Sequence, residues 1–256
     1  MKKTNFNSMM KTAKVATVLF LSMLPLGAIS MSLVACNNDD NEESPEVIDR
    51  SPAQAIDLGL PSGTLWASCN VGATKPEEYG DYFAWGETKP KSEYSLSTYK
   101  WCNGSVERLT KYCNDKRFGN NGLMDNKTEL DLEDDAAYVN WGSNWRMPSF
   151  AQIKELINNC TWEWMTVNGV NGYEVKSKKN QNSIFLPAAG WHRNSEFGRA
   201  GSVFLYWSRS LDTGVNNHPF NAYRMGGNSE EVTSNENEGI VRTVRDAGLS
   251  VRPVRQ

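Results

Sequence analysis

The sequence predicts a mixed α+β domain in which two short helices accompany small antiparallel sheets and much loop. Three observations carry this expectation. Helix signals occur in only two places, β-prone segments are brief and cut by Gly and Pro, and no stretch alternates strand with long helix as a parallel sheet requires.

The first element is a leader. Lys2, Lys3, Lys11 and Lys14 precede an apolar run from Val15 to Ala35, with no acid before Asp39. This order is that of an export signal. The run ends in Leu33-Val34-Ala35-Cys36. Small residues before a cysteine are what a lipoprotein signal peptidase cleaves, so 1–35 reads as a signal peptide and Cys36 as a lipidated N-terminus. An uncleaved transmembrane anchor is the alternative, since the run is long enough to span a bilayer. Asn37 follows where an aspartate would resemble an inner-membrane retention signal. The expected location is therefore the outer membrane, with the acidic stretch Asp39-Asp40-Asn41-Glu42-Glu43 resembling a surface-export signal. The same stretch begins a tether, 36–51, with a reach of about 20 Å if flexible.

Residues 52–256 are of a length suited to one domain. The whole chain carries a net charge of −3, and cleavage would remove four lysines and no acid. Such an acidic surface is unsuited to nucleic acid, so the expected partners are a membrane, through the lipid, and an unknown surface ligand, protein or glycan.

In the domain, Ile56 to Leu58, Thr64 to Ala67 and Asp81 to Trp85 read as short strands. Acids load the first turn of a short helix expected over Glu133 to Asn140. Ser149 with Gln152 makes a capping box, and Phe150, Ile153, Leu156 and Ile157 share one face, predicting a helix from Ser149 to Asn158. Asn168-Gly169 and Asn171-Gly172 are turn dipeptides. Tyr173 to Lys176 and Ser183 to Leu186 then form a hairpin, followed by strands at Leu205 to Ser208, Asn221 to Met225, Ile240 to Val244 and Leu249 to Val254. Of the nine tryptophans, Trp66, Trp85, Trp141, Trp145 and Trp207 are expected in the core and Trp191 at the surface.

Four cysteines besides Cys36 suggest disulfides in an exported domain. The favoured pairs are Cys102 with Cys113 and Cys69 with Cys160; free buried thiols are the other reading. No C-x-x-C or paired-histidine spacing supports a zinc site.

Several segments together resemble the Fibrobacter succinogenes major paralogous domain family. They are 55–67 (AIDLGLPSGTLWA), 70–73 (NVGA), 80–87 (GDYFAWGE), 145–148 (WRMP), 186–190 (LPAAG), 206–208 (YWS) and 250–255 (SVRPVR). The resemblance implies a C-type-lectin-like fold with paired N- and C-terminal strands, shared with variable proteins of diversity-generating retroelements. In such proteins a rigid frame, here Trp207 and Ser208, carries a freely varying surface. The corresponding stretch runs from Trp191 to Asp246, with ligand-binding candidates Trp191, His192, Arg193, Asn194, Phe197, Arg209, His218, Phe220, Arg224, Asn235 and Arg242, to which Arg199 and Phe204 add similar chemistry. Large amphipathic side chains on a rigid frame suit recognition. An ordinary loop-rich surface is the alternative.

Catalytic patterns are missing. His192 and His218, the two histidines, lie in no metal spacing, and Ser195 and Ser208 in no G-x-S-x-G elbow. The lectin calcium motifs Glu-Pro-Asn, Gln-Pro-Asp and Trp-Asn-Asp are absent. Asp131, Glu133, Asp134 and Asp135 form an acidic cluster that reads either as a helix N-terminus or as a calcium site. Formylglycine-generating relatives use C-terminal cysteines, whereas the last cysteine here is Cys160. The expectation is a binding protein without cofactor, catalytic residues or metal, with a passive envelope protein as alternative and a polysaccharide-acting enzyme third.

Overall fold

A computed structural model describes residues 49–214, 218–233 and 242–256. The leader, Cys36, most of the tether and Asn235 lie outside the described residues. The chain is α+β, with many short strands, two α-helices among the described residues, and long loops. No helix among them is long and apolar enough to cross a membrane.

The helices form where local chemistry starts them. α1 (Ala136–Trp141) is capped by Asp135, whose carboxylate accepts from the Ala137 and Tyr138 amides. Expected from Glu133, it begins three residues later, because Leu132–Asp134 is a separate 3-10 turn. α2 (Phe150–Asn159) has the expected capping box: Ser149 accepts from the Gln152 amide and Gln152 accepts from the Ser149 amide. It buries Phe150, Ile153 and Leu156.

Among the described residues the strands make four sheets. β1 (Ala55–Asp57) and β14 (Val254–Arg255) flank β2 (Leu65–Ala67), so the ends of the domain meet. The central sheet contains β3 (Tyr82–Phe83), β9 (Val203–Leu211), β10 (Asn221–Asn228), β11 (Val232–Thr233), β12 (Arg242–Val244) and β13 (Leu249–Ser250). Its path is β11-β10-β9-β13-β3, and β12 also pairs with β10. A meander joins β4 (Cys160–Val167), β5 (Val170–Ser177) and β6 (Ser183–Pro187). β7 (Trp191–Arg193) and β8 (Glu196–Gly198) form a separate ribbon.

Asn168-Gly169 is the β4–β5 turn, with φ of 49° and 82°. Asn171-Gly172 is not a turn. Gly172 sits inside β5, where a Cβ would lie 2.4 Å from the Leu186 carbonyl oxygen, so glycine serves close backbone approach. The segment expected as one strand from Leu249 to Val254 is two, broken around Pro253.

Two core clusters cover the central sheet. Trp85, Trp145, Trp207, Leu249 and Val251 belong to one, and Trp66, Leu156, Val175, Phe204 and Met225 to the other. The five tryptophans expected inside are all buried. Trp85 donates to the Ser208 carbonyl and Trp207 to the Phe83 carbonyl. Ser208 Oγ donates to the Tyr223 carbonyl.

Two arginines are internal struts. Arg252 gives Nε to Asn70 Oδ1, Nη1 to the Ala67 carbonyl and Nη2 to the Phe185 carbonyl, at 2.8 to 3.0 Å. Arg245 bonds Tyr99 Oη and the Lys111, Tyr112 and Pro219 carbonyls while lying over the Trp85 ring. Both are buried with every guanidinium nitrogen engaged.

The proposed disulfides are absent: Cys69, Cys102, Cys113 and Cys160 are buried free thiols. Cys69 and Cys160 belong to different core clusters. Cys102 and Cys113 share a third, but point their thiols at local carbonyls, those of Leu96 and Asp115. Each acts as a small apolar residue with a weak donor.

Candidate functional site

The stretch from Trp191 begins with the β7–β8 ribbon. Its register pairs Trp191 with Gly198, His192 with Phe197 and Arg193 with Glu196. Asn194 turns the chain with φ of 53° and exchanges two backbone hydrogen bonds with Tyr94. His192 does the same with Gly248, both at 2.9 Å. The short ribbon is thus pinned on both sides.

Side chains alternate across a strand, so the His192–Phe197 pair faces one way and the Trp191–Gly198 pair the other. On one face the His192 and Phe197 rings stack at 4.8 Å. Tyr82 meets both edge-on, at 4.5 and 5.5 Å, and Tyr79 lies 6.5 Å from Phe197. Tyr82 is fixed by donating its hydroxyl to the Ala189 carbonyl at 2.6 Å. Phe197 tops this group with 49 % of its surface exposed. Burial lowers the His192 pKa from its ordinary value, which favours the neutral ring.

On the other face Trp191 packs flat on Gly198, where a Cβ would fall 2.6 Å from the indole. Trp191 is half-buried against the core rather than a free surface aromatic. Its ring forms one wall of a cleft of about 270 Å³, with Val203 and Leu205 as further apolar lining and Arg199, Arg224, Asn228 and Glu231 as polar lining. Arg224 lies on β10, just past a bulge after Ala222. Gly226 leaves room for it, because a Cβ there would lie 2.4 Å from Arg224 Nη1.

Unlike Arg245 and Arg252, Arg224 is unsatisfied. Its Nε and Nη1 are buried without a hydrogen-bond partner. Burial alone draws its pKa down to about 10. It stays protonated at pH 7, a half-buried charge with two of its three nitrogens unpaired.

The other candidates are dispersed. Arg193 and Asn194 are exposed on the ribbon, and Arg199 is exposed just beyond it. Phe220 and Phe204 are core residues, Phe220 packing edge-on against Tyr99. Arg242 pairs with buried Asp212 at 3.1 Å, and His218 is exposed beside Phe118. Arg209 pairs with Glu129 at 2.6 Å in a separate groove of about 410 Å³. Arg146 and Arg255 also line that groove, and each faces an acid: Asp135 at 2.9 Å and Asp49 at 3.5 Å. Its charges are compensated, so it makes no comparable demand for a ligand.

The acidic cluster has a third explanation that neither sequence reading included. Lys111 Nζ lies 2.6 Å from Asp131, 3.3 Å from Glu133 and 2.7 Å from Asp134. Its ammonium sits where a cation would have to sit. Asp134 also accepts from Tyr112 Oη and Lys100, while Asp135 caps α1.

Sequence reasoning missed Tyr79 and Tyr82, which are far in sequence from the ribbon residues they accompany, and Glu231, which lies within the singled-out stretch but was passed over as an ordinary surface acid. Tyr82 stood in a segment read only as a strand. Compared with known proteins, the chain matches no family model, no curated protein and no solved structure.

Proposed function

We propose that this chain is an outer-membrane lipoprotein, anchored through Cys36 and displayed at the cell surface, that binds a protein or glycan ligand non-covalently through the β7–β8 ribbon. The observation that carries the reading is the packed group of Tyr79, Tyr82, His192 and Phe197, with Phe197 about half exposed. Rings already held by packing and by the Tyr82 hydroxyl lose little freedom on binding, which favours affinity. The pairing of β14 with β2 supports a C-type-lectin-like frame beneath it.

The reading is non-catalytic. His192 lies among rings rather than beside a nucleophile, and the buried thiols are held as neutral groups, with Cys160 raised to about 11 by burial.

Glycan and protein arrays probed with the detergent-purified full chain test this reading. A ligand whose signal disappears in Phe197→Ser and His192→Ala supports it. No ligand, together with a fixed stoichiometric partner on cross-linking in cells, would replace it with a passive assembly role.

A further inference from the structure

We propose that the cleft behind the ribbon is a carboxylate-binding site, in which Arg224 holds the acid group of a compact ligand that also carries hydrogen-bond donors. The cleft lies on the face of the ribbon opposite the Phe197 group, so this site goes beyond the recognition reading and stands or falls apart from it.

The main argument is a contrast within one fold. Arg245 and Arg252 are buried with every guanidinium nitrogen engaged, whereas Arg224 has two buried nitrogens without a partner and no acid pairs with it among the described residues. Buried charges are normally paired and hydrogen-bonded. Arg224 also lines an open cleft; Nη2, the guanidinium nitrogen not among the two buried ones, is the atom an anion there meets first, and Nε and Nη1 become available only as the guanidinium turns toward it.

The remaining lining selects among anions. Glu231 at the same cleft repels a multiply charged group and accepts from hydroxyl or ammonium donors, which disfavours phosphate and suits a singly charged carboxylate. Trp191, Val203 and Leu205 offer an apolar wall for the ligand's carbon skeleton. The 270 Å³ volume is at the small end for ligand pockets and fits one compact group rather than a chain of them. Charge-assisted hydrogen bonds to a guanidinium are the strongest such contacts, and a planar carboxylate matches the fork.

Two small-molecule sources share this chemistry, a sugar acid and an α-amino acid. Calorimetric titration of the detergent-purified full chain with glucuronate, glucose, alanine and alaninamide separates them. The expected result is binding of glucuronate or alanine, with the matching compound that lacks the carboxylate, glucose or alaninamide, at least tenfold weaker. Arg224→Met should weaken that binding at least tenfold while the far-ultraviolet spectrum is unchanged. Val203→Phe, which fills the cleft and leaves the charge, should also abolish it, so the test survives misfolding of the arginine variant. If neither carboxylate binds below about 10 mM, or if both folded variants bind like wild type, the proposal is overturned. A neutral array ligand lost in Phe197→Ser would then leave the ribbon reading standing without the carboxylate cleft.

Discussion

Replacing Arg224 by Met should stabilise the unliganded protein, the opposite of what truncating a buried arginine ordinarily does. Burial lowers the Arg224 pKa to about 10 with no opposing contribution from an acid. Relative to an unperturbed guanidinium, that depression corresponds to about 3 kcal/mol carried by the charged form. For a base whose folded pKa is depressed, this cost is fully present at neutral pH and is relieved only as pH rises through about 10. Methionine keeps much of the apolar stem and removes the charge and both unpaired donors. The net expectation at pH 7 is a gain of about 1–3 kcal/mol, read as a higher urea midpoint at unchanged slope. Arg252→Met is the control. It strands Asn70 Oδ1 and the Ala67 and Phe185 carbonyls in the core and should cost about 3–5 kcal/mol. A loss above about 1 kcal/mol in Arg224→Met would mean that the guanidinium is satisfied within the fold, and the reasoning fails.

The remaining predictions concern other parts of the chain. Without reductant, the non-reduced protein should show no mass change on reduction, and Cys69, Cys102, Cys113 and Cys160 should resist alkylation until denatured; a mass increase on reduction would restore the disulfide pairs. Asp131, held below the usual carboxylate range by Lys111 and Lys127, contributes stability above its unfolded pKa that is lost as pH falls through the lower folded value. Asp131→Asn should therefore cost about 1 kcal/mol at pH 7, and urea melts should show this gap closing in strong acid. Cys36→Ser should release the protein from the membrane fraction and abolish incorporation of labelled palmitate; unchanged membrane retention would indicate an uncleaved anchor.

Local chemistry made much of the fold legible. The Ser149–Gln152 box and the Asn168-Gly169 turn act over a few residues, and the structure places them as expected. β4 was missed although Trp162 and Trp164 alternate with Thr and Glu, a strand signal that follows directly on α2. Asn171-Gly172 shows the limit of dipeptide rules, because glycine can answer to a neighbouring carbonyl as well as to a turn. The site was legible only in part. His192, Phe197 and Trp191 were singled out by residue type, but Phe220 was misjudged because polar neighbours in sequence hid its burial against Tyr99. Cysteine spacing could not reveal that Cys69 and Cys160 join different clusters. Whether an arginine is satisfied depends on carbonyls supplied by distant segments, so Arg224, Arg245 and Arg252 look alike in sequence.

Recognition through the ribbon is tested most directly by array binding of the full chain beside Phe197→Ser. The side chain is about half exposed and packs on three rings, so this substitution should cost about 1 kcal/mol of stability and leave the protein folded. Loss of a specific array signal in the folded variant is the result expected of a binding face. A specific ligand bound equally by both proteins would place recognition elsewhere on the molecule.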